Sequence, residues 1–201
     1  MSRVTRAPFA AFALVLLALS MPTPGARAAD SDDSVVLVAK RELQDPVYGA
    51  TILVAKPLPD GRTLGFIVNR PSSTTLGQLF PEDAPSQKVI EPVYVGGPVG
   101  MNLVFALVQA SEAPGESALR LAPDLYLAID AVAVDKIIQA QPRHARFFSG
   151  FVVWRPGELS EEMKRGLWYE MRLDAELVLP EKTDGLWEDL VGRSEQRAKT
   201  I

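Results

Sequence analysis

Cysteine is absent, and histidine occurs once, at position 144, in a chain of 201 residues. No disulfide can reinforce the fold in an oxidising compartment, so stability has to come from packing. No thiol nucleophile is available, and His144 stands in a Gln-Pro-Arg-His-Ala-Arg loop with no G-x-S-x-G serine to activate. Metal sites need clustered His, Cys and carboxylate ligands or a spaced Asp/Asn calcium loop. Neither pattern occurs, so no metal and no cofactor is expected. A basic excess is missing too: Lys and Arg total 21 against 25 Asp and Glu, a net charge of −4. Nucleic-acid binding draws its affinity from clustered Lys and Arg on phosphates. Without such a cluster, no nucleic-acid partner is expected.

No apolar run reaches the roughly 20 residues that a membrane-spanning helix needs. The run at 9–19 follows Arg3 and Arg6, is broken by Met21-Pro22-Thr23-Pro24-Gly25, and leads to Ala26-Arg27-Ala28. That layout is a secretory signal peptide with an A-x-A cleavage site. Val4 and Thr5 separate the two arginines, which excludes a twin-arginine signal. The lack of cysteine excludes a lipid-modified cysteine after the cut. Residues 1–28 are therefore expected to be removed, placing the protein in the periplasm with no membrane attachment. The remaining 173 residues carry 18 Lys and Arg against 25 Asp and Glu, a formal charge of −7. That length suits one domain with a sizeable core.

What is present is dominated by one stretch, Phe147-Phe148-Ser149-Gly150-Phe151-Val152-Val153-Trp154. An apolar run of this kind predicts a strand buried on both faces. Arg155-Pro156-Gly157 turns the chain, and Glu158 falls in the first turn of a helix, where the dipole favours negative charge. Upstream, apolar runs at 35–39, 51–55 and 63–69 predict three strands in an antiparallel meander, with Pro59-Asp60-Gly61 as turn chemistry. Arg70-Pro71-Ser72-Ser73 reads as the end of the third. Thr74 or Thr75 can cap a short helix stopped by Pro81. Further strands are expected at 93–95, 103–108, 119–121 and 125–129, and Asp130 caps a helix over 131–140 ended by Pro142.

Glu158 to Arg165 is expected to be helical, with Gly166 as its stop. A late strand at 168–173 reads as continuing to 177–179, and a last helix over 185–191 as ending at Gly192. The organisation is then signal peptide (1–28), flexible leader and first strand (29–44), one domain (45–192) and a charged, frayed tail (193–201). The predicted fold is α+β, with short, mainly antiparallel strands curling into a small barrel and short flanking helices.

Four pieces in order resemble the YqgE/AlgH family across about residues 45–191. They are Gly65-Phe66-Ile67-Val68-Asn69-Arg70-Pro71; Val93-Tyr94-Val95-Gly96-Gly97-Pro98-Val99; Gly150-Phe151-x-x-Trp154-x-Pro156-Gly157-x-Leu159-x-x-Glu162; and Gly166-Leu167-Trp168. The resemblance implies a closed, five-stranded-type β-barrel with flanking helices, and no particular activity. Family members are commonly labelled transcriptional regulators, on genetics rather than a DNA-binding motif. The chain departs from the family pattern at Arg62-Thr63, where Gly-Ala is usual, at Val152-Val153, where small residues are usual, and at Glu158, where glutamine is usual. Its export signal departs as well, since an exported protein does not meet the chromosome.

Candidate chemistry is sparse. Asn69-Arg70-Pro71 reads either as an anion site built on the Arg70 guanidinium and helix N–H groups, or as a turn in which Asn69 bonds backbone and Pro71 fixes φ. In Gly96-Gly97-Pro98-Val99-Gly100 the proline removes a donor and no Lys-Ser/Thr follows, so close backbone approach rather than phosphate binding is expected. Glu158, Glu161 and Glu162 can serve acid–base chemistry if one is desolvated, or Glu161 can pair with Arg165 on a solvated face. Trp154 and Trp168 read as core filling or as groove lining.

The expected function is a non-enzymatic binding or accessory protein of the envelope, with no catalytic residues. Its surface cleft would hold Asn69, Arg70, Trp154, Arg155 and Glu158 around the Pro156-Gly157 turn, and its ligand would be an anionic small molecule or a partner protein's carboxylate. The alternatives are a hydrolase-type enzyme using Glu158 and Glu162, and the regulator role of the family label.

Overall fold

The structure is a computed structural model and describes residues 33–140 and 145–199. The expected signal segment, Pro142 and His144 lie outside the described residues. Strands β1 (Val35–Ala39), β2 (Ile52–Pro57) and β3 (Thr63–Ile67) form the antiparallel meander that the sequence predicts. Side chains alternate across a strand, and both faces of this meander are covered. Val36, Val38, Ile52, Val54 and Phe66 enter one core, whereas Leu37, Ala39, Leu53, Ala55 and Ile67 enter another on the opposite face.

The chain then departs from the expected turn. Pro71-Ser72-Ser73-Thr74-Thr75 is itself a strand, β4 (Pro71–Thr75), paired with β5 (Pro92–Val95). Proline is tolerated there because it opens the strand and β4 is paired on one side only. Thr75 closes a capping box with Gln78 on α1 (Leu76–Leu79). A single 3₁₀ turn, Ser86–Lys88, interrupts the following loop.

The second half contains β6 (Val99–Gln109), β7 (Leu119–Ala122), β8 (Leu125–Ala128), α2 (Ala131–Ala140) and β9 (Ala145–Trp154). Asp130 caps α2 by accepting from the Ala133 N–H at 3.0 Å. After β9 come α3 (Glu158–Lys164), β10 (Trp168–Arg172), α4 (Ala175–Val178) and α5 (Leu186–Lys199). Residues 175–178 are therefore a helical turn capped by the Asp174 side chain, not a continuation of the late strand. The expected frayed tail is helical through Lys199, because Gly192 does not stop α5. An Asp189–Arg193 pair at 2.7 Å bridges that glycine along the helix, and Glu195 reaches Arg41 at 3.1 Å.

Strand order is β10-β1-β2-β3-β9-β6-β8-β7, with β5 lying parallel to β9. The remaining pairings are antiparallel. Closure, expected from the sequence, is not shown: the path has two ends, β10 and β7, and the fold is a mixed α/β half-barrel with short helices. β9 is its hinge. The last residues of β9 pair with β3, its first residues pair with β6, and Phe148 and Ser149 lie between β5 and β6. Phe147 and Phe148 are both buried, but from Ser149 onward buried and half-buried positions alternate, so the expected two-sided burial holds only for the first half.

Candidate functional site

The glycine motifs serve the crossing at β9. A Cβ on Gly96 would lie 2.3 Å from the Gly150 carbonyl oxygen, and one on Gly97 would lie 2.3 Å from that of Phe151. The backbone leading from β5 to β6 thus runs directly against β9, and only glycine fits. The expected close approach of Gly96-Gly97-Pro98 is what the structure has. Gly65 does the same for a side chain: its Cβ would sit 2.5 Å from the Trp154 indole, which occupies the space a side chain would need.

Trp154 and Trp168 are each 4% exposed and belong to the core under α3. Buried indoles need an acceptor for N–H, and one carboxylate oxygen serves both. Glu162 Oε2 accepts from Trp168 Nε1 at 2.8 Å and from Trp154 Nε1 at 3.1 Å. Glu158 accepts from the Arg155 N–H at 2.9 Å and meets its guanidinium at 3.4 Å. These bonds hold the Glu158 carboxyl below its ordinary range, the backbone one contributing most. Pro156 and Gly157, with φ +83°, form the turn between them, as expected. Glu161 pairs with Lys164 at 2.7 Å rather than with the expected Arg165.

Asn69 and Arg70 are engaged elsewhere. Asn69 accepts from the Ile52 N–H at 2.9 Å and donates to the Ala50 carbonyl at 3.0 Å. Arg70 donates to the Gly49 carbonyl at 3.1 Å. Both thereby fasten the loop at 45–51, whose Asp45 carboxylate accepts from the Val47 and Tyr48 N–H groups. Burial pulls the Arg70 pKa down, with Asp45 opposing it. Tyr48 of that loop packs against the core that holds Trp154 and Trp168, and its pKa is raised by burial first, then by Asp45, Glu162 and Glu158. Trp154, 4% exposed, offers the expected cleft almost no surface.

An open concavity lies on the other side of β9. Between Val99 and Val104, β6 advances five residues while β9 retreats two, from Phe151 to Ser149. The surplus forms a bulge, held by a hydrogen bond from Ser149 Oγ to the Met101 carbonyl. The bulge lifts Met101 and Leu103 outward, each 49% exposed, facing Leu79 (43%) and Phe80 (40%) at the end of α1. Two adjoining hollows of about 320 and 390 Å³ share Phe80, Asn102 and Val104 and are taken together as a trough. Its far wall is Ile129 with Val134 and Ile138 of α2, and Asp83 and Asp135 are the charged residues among its lining. The sequence reading missed this site because it started the strand at Leu103. Gly100, followed by apolar Met101 and Leu103, was the available signal.

A family model described as AlgH-like matches residues 36–199. The chain belongs to the AlgH-like family. That match begins inside β1 and ends at the last residue of α5, so it takes in both elements flanking the 45–192 segment. A UPF0301 protein of Rhodococcus jostii (strain RHA1) is 27% identical over 162 residues, 79% of this chain and 80% of that protein. Another UPF0301 protein, from Chromohalobacter salexigens, is 30% identical, covering 71% of this chain and 80% of its own. The solution structure of AlgH from Pseudomonas aeruginosa superposes with a TM-score of 0.66 at 20% identity, covering 88% of this chain and 93% of that one. A crystal structure of a Corynebacterium diphtheriae protein gives 0.66 at 23% identity, covering 79% and 85%. Those two likenesses establish the fold shared by this AlgH-like chain.

Proposed function

We propose that this AlgH-like protein is a non-enzymatic binding module that receives an apolar, positively charged segment of a partner protein in the trough. Exposed Leu79, Phe80, Met101 and Leu103 around one concavity carry this reading. Contiguous apolar surface of this kind marks interaction sites. Charge selects the partner: Asp83 and Asp135 line the trough, no Lys or Arg does among the described residues, and the segment after residue 28 is acidic. The periplasm is the proposed place of action, following the signal-like first 28 residues. Glu158 and Glu162 are assigned no catalytic role, since one caps the turn and the other receives two indoles.

Titration with a short Leu/Lys peptide and its Leu/Glu counterpart tests the proposal. The Leu/Lys peptide is expected to bind and the Leu/Glu peptide to fail, with Leu103→Asp abolishing binding at unchanged melting temperature. Equal binding of both peptides, or undiminished binding by Leu103→Asp, overturns it. Fractionation of the cells tests the location, and recovery of the full-length protein with the cytosol removes that part.

A further inference from the structure

Arg146 is a charged, half-buried residue in the central strand, and its surroundings are unusual for a cation. Burial lowers its pKa, and the opposing influence comes from Tyr94 rather than from a carboxylate. Its guanidinium lies over the Tyr94 ring at 4.3 Å. Nη1 donates to the Val68 carbonyl at 3.4 Å and to that of Val178 at 3.3 Å, and Nη2 donates to that of Pro180 at 2.5 Å. Arginine has five N–H donors, so Nε–H and one Nη2–H make no bond to the described residues. Among these residues no carboxylate pairs with it either. Among the described residues this half-buried charge is held by carbonyl dipoles and a ring face, and charge-assisted bonds to a carboxylate are the strong way to satisfy it.

A hollow of about 310 Å³ opens beside this guanidinium, walled by Tyr94, Ala145, Leu179 and Pro180, with exposed Glu91 and Glu181 also lining it. That volume is at the low end for small-molecule sites, about 300–1,000 Å³. A bare anion would meet Arg146 but also two glutamates of its own sign. A zwitterion meets each with the opposite charge. We propose that this hollow binds a free α-amino acid with an apolar side chain, its carboxylate on Arg146, its ammonium toward Glu91 and Glu181, and its side chain against Leu179 and Pro180. The site is separate from the peptide trough, although Tyr94 lines both.

Calorimetric titration of the protein with L-leucine, 4-methylpentanoate and 3-methylbutylamine tests this. The two analogues lack the ammonium and the carboxylate respectively. Leucine is expected to bind at least about ten-fold more tightly than either, with Arg146→Gln abolishing its binding. Should Arg146→Gln fail to fold, the rim pair Glu91→Gln with Glu181→Gln decides, because both side chains are exposed. There leucine affinity is expected to fall to that of 4-methylpentanoate. No leucine binding, 4-methylpentanoate binding as tight as leucine, or undiminished leucine affinity in a folded Arg146→Gln or rim variant overturns the proposal.

Discussion

The two sides of β9 use the same kinds of residue to opposite ends. On the α3 side, apolar rings, carboxylates and glycines close on one another: Gly65 admits Trp154, and Glu162 receives both indoles. On the trough side, Met101, Leu103, Leu79 and Phe80 are comparably apolar but exposed, the first two on a bulge in β6 and the other two at the end of α1. The difference lies in whether apolar area is removed from water within the chain or left exposed. Motif-bearing residues thus build the scaffold, and the exposed apolar surface lies beyond them.

Mutations can break that contrast. Trp154→Ala should have the largest effect, costing about 3–5 kcal/mol by loss of buried contacts and the cavity left behind. Urea unfolding reads it, and a change below about 1 kcal/mol would place the indole outside the load of the core. Glu162→Leu should come next, since it strands two indole N–H groups at roughly 1–3 kcal/mol each. Asn69→Ala removes both ties to the 45–51 loop and should cost about 1–2 kcal/mol, with little effect on peptide binding. Leu103→Asp should shift stability by no more than about 0.5 kcal/mol, as surface changes do, while removing Leu/Lys peptide binding.

The smallest expected effect is acidic. Asp83, in the trough wall, accepts from the Ser86 hydroxyl at 2.5 Å and N–H at 2.9 Å, which hold its carboxyl below the ordinary 3.8. A depressed folded-state pKa contributes stability that is present above 3.8 and lost as pH falls through the lower folded value. Melting followed from pH 5 downward should therefore show wild type losing ground to Asp83→Asn below pH 3.8. A constant difference between the two across that range would assign Asp83 no such bond.

Much of the scaffold was legible because its signals are local. Apolar runs bounded by Pro59-Asp60-Gly61 yield β2 and β3, and Thr75 and Asp130 mark helix starts that the structure keeps. β4 was not legible: Pro71-Ser72-Ser73 has turn composition, and only its partner β5 makes it a strand. The helical tail was hidden for a similar reason. Gly192 reads as a stop, but Trp187 Nε1 on the Ala39 carbonyl at 2.8 Å and Glu195 on Arg41 dock α5 to β1 from distant parts of the chain. The candidate site fared worst. Asn69 and Arg70 look identical in sequence whether they greet a ligand or fasten a loop, and the bulge that exposes Leu103 is marked only by Gly100 ahead of Met101 and Leu103. Arg146 reads as part of a loop ahead of the run that starts at Phe147, and only the structure places it inside β9.

Chemical-shift mapping with the Leu/Lys peptide tests the contrast most directly, because each indole N–H gives its own signal. Shifts are expected at Leu79, Phe80, Met101 and Leu103, with the Trp154 and Trp168 indole signals unmoved. Movement of those two indoles with a silent trough would contradict the assignment of recognition to the bulged face.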